Sequence, residues 1–181
     1  MQHLAGDDFE RLFLECKRGA FRLETQDSYS EPEEDEPFRK FLAGEPDPLD
    51  WAAPWDALMR DVTGSGRTVE RVRVVTVPHS DYTRFLLSTT ADSLASGEHI
   101  RWLPRHLTRA EDTAPGDYWL FDDDVAAFHL FTPAGEWTGV AVSTDPVIVG
   151  HCCAVRDRLR PQGIPHLEYI ESKYVTSTVQ L

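Results

Sequence analysis

The arginines offer the clearest chemistry in this chain. Arg71 and Arg73 alternate with Val72 and Val74 inside the β-branched run Thr68 to Val77, which reads as a strand ending at Pro78. Two guanidiniums therefore share one side of a strand, and a central strand has both faces covered. Tyr82 and Arg84 follow that strand, while Arg101 and Trp102 lie on a second one, Glu98 to Leu103, with Arg105 just beyond it. Open α/β sheets bind ligands beyond the carboxyl ends of their strands. A pocket of Arg73, Tyr82, Arg84, Arg101, Trp102 and Arg105, bordered by Asp122, would hold an anionic or planar ligand by forked hydrogen bonds and stacking. The competing role is structural: Glu24 and Asp122 pair the arginines, and the acidic balance of the chain favours this pairing.

Other reactive residue types point to less. His151-Cys152-Cys153 suggests a metal, but three adjacent helical residues point about 100° apart and cannot converge on one ion. Cys152 shares an apolar face with Ile148 and Val155 and reads as a small buried hydrophobe. Asp122-Asp123-Asp124 offers carboxylates to Mg²⁺ but also suits a solvated turn. The run Glu33-Glu34-Asp35-Glu36 reads as a solvated loop. No metal and no cofactor is expected.

The elements that would position these groups alternate between strand and helix. Phe9, Leu12, Phe13 and Cys16 form one helical face behind Asp7 and Asp8, and Gly19 is expected to stop that helix. Ala20 to Glu24 alternates as a short strand. Ser30 to Pro37 reads as an exposed loop and Glu36 to Leu42 as a short helix. Pro54 starts a helix bearing Trp55, Leu58, Met59 and Val62. Gly64-Ser65-Gly66 is a helix-to-strand turn, since no Lys-Ser/Thr follows as a phosphate loop requires. Ser80 or Asp81 caps a helix carrying Tyr82, Phe85 and Leu86, which Gly97 closes. Tyr118 to Phe121 and Val125 to Phe131 are antiparallel neighbours across the acidic turn, and Trp137 to Val142 is another strand. Asp145-Pro146 opens a helix with Ile148, Cys152, Val155 and Leu159 on one face. The tail from Ile164 is expected to lie extended or frayed.

The expected fold is α/β, with α+β as the alternative: a single mixed sheet flanked by helices. The division is an N-terminal helical segment over 1–66, a core over 67–163 and a tail over 164–181, all in one domain. A length of 181 residues suits that size. A formal net charge of −13 argues against a general nucleic-acid surface, which needs excess Lys and Arg. No apolar run approaches membrane-spanning length, no signal segment opens the chain, and three cysteines fit a reducing cytoplasm.

Several motifs together resemble an uncharacterised actinobacterial family, domain-of-unknown-function family 6879. They are Phe21-Arg22-Leu23-Glu24, Trp55, Arg71 to Val75, Asp81-Tyr82-Thr83-Arg84-Phe85, Ile100 to Arg105 and Asp117 to Asp123. Asp145-Pro146, Val149 and Arg156 to Leu159 also resemble effector domains attached to helix-turn-helix regulators, which look like degenerate halves of the phospholipase D fold. The resemblance implies one half of such a fold, with no reaction to carry over. The nearest match to a phospholipase D site runs from His106 to Asp112, but Thr108 stands in the Lys position and Asp112 falls one residue early. The expected function is a non-catalytic sensor or adaptor domain associated with transcriptional regulation, with a helix-turn-helix protein partner or a small anionic ligand. The alternative is an enzyme of specialised metabolism or phosphoester chemistry built on His106, Asp112, Asp122 and Cys153. A homodimer through Trp51 and Trp55 or through the tail is a third arrangement.

Overall fold

The computed structural model describes residues 1–133 and 135–176. The chain enters with β1 (Gln2–Leu4), α1 (Asp7–Glu15), β2 (Gly19–Glu24) and α2 (Pro32–Ala43). A 3-10 turn, Asp50–Ala52, precedes α3 (Ala53–Gly64), β3 (Thr68–Val75), α4 (Asp81–Ala95) and β4 (Glu98–Pro104). There follow α5 (Ala110–Thr113), β5 (Tyr118–Phe121), β6 (Val125–Phe131), β7 (Trp137–Ser143) and α6 (Pro146–Leu159). The last elements are β8 (Ile164–Pro165), α7 (His166–Tyr169) and α8 (Lys173–Thr176).

The expected single mixed sheet is present, with eight strands in the order β1-β7-β6-β5-β2-β3-β4-β8. Strands β2, β3 and β4 run parallel, and the other pairings are antiparallel. Successive crossovers in one direction along a sheet put their helices on one face. Met59 and Val62 of α3 accordingly pack with Val69, while Leu86, Leu87 and Leu94 of α4 pack against Val75 and Ile100. Phe9 and Phe13 of α1 cover the same face. The opposite face belongs to α6, whose Val149, Cys152, Val155 and Leu159 bury Leu23, Val72 and Val74. Each such aliphatic side chain contributes about 1.5–3 kcal/mol through removal from water. Among the described residues no helix is long and apolar enough to cross a membrane.

Local chemistry accounts for the element ends. The Asp145 side chain accepts from the Val147 and Ile148 N–H groups at the start of α6, and Pro146 fills the first turn. Asp122 and Asp123 adopt φ of 55° and 65°, and the Asp124 N–H donates to the Phe121 carbonyl at 3.0 Å. This is the left-handed hairpin turn that joins antiparallel strands, and short polar Asp tolerates it.

Three expectations are corrected. The acidic stretch from Ser30 to Pro37 is not a loop, because α2 begins at Pro32. Pro at the helix start and Glu33, Glu34 and Asp35 in the first turn match the helix dipole, and Phe38 and Phe41 anchor the helix on Phe85. Gly19 does not stop α1 but opens β2, where a Cβ would meet the Thr68 carbonyl oxygen at 2.1 Å. The tail is folded up to Thr176: Tyr169 is buried and stacks on Trp102 at 5.7 Å. Residues 177–181 lie outside the described residues. The N-terminal β1, too short to show a period, pairs antiparallel with β7.

Candidate functional site

The register of the parallel strands builds the site. It sets Arg22 opposite Arg71 and Glu24 opposite Arg73, with Trp119 of β5 beside Arg22 and Trp102 of β4 beside Arg73. Side chains alternate across a sheet, so all six residues share the face covered by α3 and α4. Two arginines directly opposite one another repel. Glu24 resolves the conflict by standing among the three guanidiniums. Arg71 Nη1 donates to its Oε1 at 2.7 Å, and Arg22 Nε lies 2.9 Å from the same oxygen. Arg71 reaches Glu98 Oε2 through Nη2 at 2.8 Å, and Trp55 Nε1 donates to Glu98 Oε1 at 2.7 Å. The guanidiniums of Arg22 and Arg71 each lie 5.5 Å from the Trp119 ring centroid, and that of Arg73 lies 5.2 Å from the Trp102 centroid.

Arg73 is served least well. Its Nε lies 2.5 Å from Glu24 Oε2, a contact that is ionic rather than an aligned hydrogen bond. Its buried Nη1 has no hydrogen-bond partner, although the residue is only 9% exposed. Buried polar groups are nearly always paired, so this donor marks the site. Burial alone would raise the Glu24 pKa. Arg73, Arg71 and Arg22 outweigh burial and hold the carboxyl well below the usual range.

Above this floor lies a cleft of about 340 Å³, with Trp51, Trp55 and Tyr82 among its walls. Its roof comes from the start of α2. The Tyr82 hydroxyl donates to Glu34 Oε2, and Glu31 lines the cleft beside it. Burial raises the Glu34 pKa, and burial together with the Glu34 charge pushes Glu31 up to about 6. Tyr29 also lines the cleft and donates to Asp117 Oδ2, while the Thr25 N–H and hydroxyl donate to Asp117 Oδ1 at 2.8 and 2.7 Å.

Of the residues expected from the sequence, the structure brings Arg73 and Tyr82 to this cleft. Trp102 lies beneath Arg73, fully buried, and donates to His166 Nδ1 at 3.1 Å. The others stand elsewhere. Arg84 pairs with Asp81 on the exposed face of α4. Arg101 Nη1 donates to the Gly163 carbonyl at 3.0 Å. Arg105 Nη2 donates to the carbonyls of Thr25 and Val74 at 2.5 and 3.2 Å and ties two strand ends together. Asp122 does not pair an arginine of the floor. It accepts from the N–H groups of Lys17, Arg18 and Gly19 at 2.7, 2.7 and 3.1 Å, clamping the α1–β2 turn.

His106 packs against Tyr174, and Asp112 is bound by Arg158 Nε at 2.9 Å. No two of His106, Asp112, Asp122 and Cys153 share a hydrogen bond. His151 is exposed, whereas Cys152 is buried and its thiol is pushed up to about 11 by that burial.

Sequence reasoning missed Arg22, Tyr29, Glu31, Glu34 and Glu98. A signal existed for Glu34: with Phe38 and Phe41 it makes an i, i+4, i+7 stripe, which turns one carboxylate of the acidic run inward.

The chain is similar, at a TM-score of 0.45 and 11% identity, to TrmBL2, an archaeal chromatin protein whose structure shows a novel mode of DNA binding. The likeness covers 85% of this chain and 48% of that one, so the chain spans about half the length of this neighbour. The expectation of no general nucleic-acid surface is set against this finding, that a DNA-binding protein stands among the similar structures. A likeness of this size places no nucleic-acid surface on the present chain. A search of curated proteins finds no match. The chain belongs to the family described as Domain of unknown function (DUF6879), whose model matches residues 7–171.

Proposed function

We propose that this domain is a non-catalytic sensor whose cleft over β2 and β3 binds a small molecule through an anionic group. The observation that carries this reading is Arg73, a residue that lines the cleft and whose buried Nη1 lacks a hydrogen-bond partner. A carboxylate or phosphate oxygen set against it supplies the missing acceptor in a charge-assisted bond. Three guanidiniums face two carboxylates, Glu24 and Glu98, so the floor keeps one positive charge over. Trp51 and Trp55 offer flat apolar walls to the body of the ligand. A volume of about 340 Å³ matches the smaller ligand pockets and suits a metabolite rather than a peptide. The separate partners taken by His106, Asp112 and Asp122 support binding over turnover.

Titration calorimetry with inorganic phosphate and with 4-methylbenzoate, on the wild type and on Arg73→Met, tests the proposal. At least one probe is expected to bind, and the variant to bind it at least tenfold more weakly while keeping its fold. Methionine removes an unsatisfied buried donor, and Glu24 keeps Arg22 and Arg71. Equal binding by the variant, or turnover of a substrate abolished by a change in the cleft, defeats it.

A further inference from the structure

Resting on the reading of the cleft as an anion-binding ligand site, we infer that its ligand is zwitterionic, with a cationic amine or amidine opposite the acid group. The cleft is polarised from floor to roof. Its floor offers guanidinium donors, with Arg73 Nη1 unpartnered and its residue only 9% exposed. The same cleft is lined by Glu31, Glu33 and Glu34 of the α2 segment and Asp56 of α3. Asp56 is itself buried, and among the described residues it is ion-paired only with Arg60, at 3.9 Å on the exposed side of α3. No described Lys or Arg is ion-paired with Glu31 or Glu34. Glu34 has a phenol, Tyr82, as its hydrogen-bond partner.

A purely anionic ligand would bring its charge beside four carboxylates in a partly dehydrated space, where like charges repel strongly. A purely cationic ligand would leave Arg73 Nη1 without an acceptor and would sit over a positive floor. A molecule bearing both charges answers both surfaces. Burial disfavours the charged forms of Glu31 and Glu34, and a bound ammonium or amidinium relieves that penalty. The indole walls suit the apolar spacer between the two charged ends.

Three probes of matched shape test this: 4-(aminomethyl)benzoate carries both charges, 4-methylbenzoate the acid and 4-methylbenzylamine the base. Hexane-based counterparts, 6-aminohexanoate, hexanoate and hexylamine, repeat the comparison with a flexible spacer. Calorimetry is expected to give the doubly charged member of a set at least a tenfold advantage over both relatives. Glu31→Gln combined with Glu34→Gln is expected to erase that advantage, with the benzoate or hexanoate bound at least as tightly as before. Both positions are only partly buried, so the fold tolerates the change, and a thermal melt checks it. If the singly charged acid binds as well as the doubly charged probe, the inference falls and the anion site stands. If the amine alone binds as well, and Arg73→Met changes nothing, both fall. Both also fall if no probe binds at millimolar concentration.

Discussion

Replacing Glu24 with Gln tests the physical logic of the site without requiring a ligand. Glu24 is 5% exposed and is the shared counter-ion of Arg22, Arg71 and Arg73, at 2.9, 2.7 and 2.5 Å. The amide has similar volume, so packing is kept and the charge alone is lost. Glu98 is then left as the close carboxylate, and it contacts Arg71. Breaking a buried ion pair by removing one partner costs about 3–5 kcal/mol, because the remaining charge stays buried and uncompensated. With a urea dependence of about 1–3 kcal/mol per molar, the unfolding midpoint should fall by roughly 1–5 M.

The pH dependence supplies a second check on the same variant. Folding lowers the Glu24 pKa below its unfolded value of 4.5, so its contribution is present above that pH and is lost as pH falls below it. The stability gap between wild type and Glu24→Gln should therefore stay constant near neutral pH and close in acid. Urea titrations followed by circular dichroism at several pH values measure both effects. A gap below roughly 0.5 kcal/mol at neutral pH, within the range of ordinary surface changes, would refute the claim that Glu24 holds the arginines together.

The remaining predictions concern the roof and the turns. Glu31 behaves with the opposite sign: folding raises its pKa from 4.5 to about 6, so its contribution is full below the first value and lost as pH rises through the second. Thermal melts of Glu31→Gln should lack that decline. Asp122→Ala leaves the N–H groups of Lys17, Arg18 and Gly19 without their acceptor and should cost about 1–3 kcal/mol, read from urea unfolding. Gly97→Ala places a Cβ 2.4 Å from Thr63 Oγ1 at a φ of +96°, and melting should show a loss of about 2–4 kcal/mol from clash and backbone strain together.

The strands were legible because β-branched alternation is strong in Thr68–Val75 and aromatics crowd Tyr118–Phe121. The order of the strands was not, since it depends on pairings between residues as distant as Leu4 and Val140. The arginine face could be read from the alternation of Arg71 and Arg73, but its partners could not. Arg22 and Glu24 reach those arginines through the β2–β3 register, which a local pattern does not encode. The acidic run of α2 misled for a related reason. Charge density suggests solvent, yet one turn of helix aims Glu34 at Tyr82 while Glu33 and Asp35 stay exposed. Arg84, Arg101 and Arg105 looked equivalent to Arg73 by type and by nearness to strand ends. Their local acceptors, Asp81, the Gly163 carbonyl and the Thr25 carbonyl, lie on turns and helix ends whose geometry the sequence does not specify.

Four of the five indoles gather around this arginine floor. Trp55 shares a carboxylate with Arg71, while Trp119 and Trp102 carry guanidiniums over their rings. Their excited states thus sit in the electric field of the same ions that would meet a ligand. The molecule has a built-in optical gauge: neutralising Glu24, or seating an anion on Arg73, should alter the colour and yield of its ultraviolet emission without any attached dye.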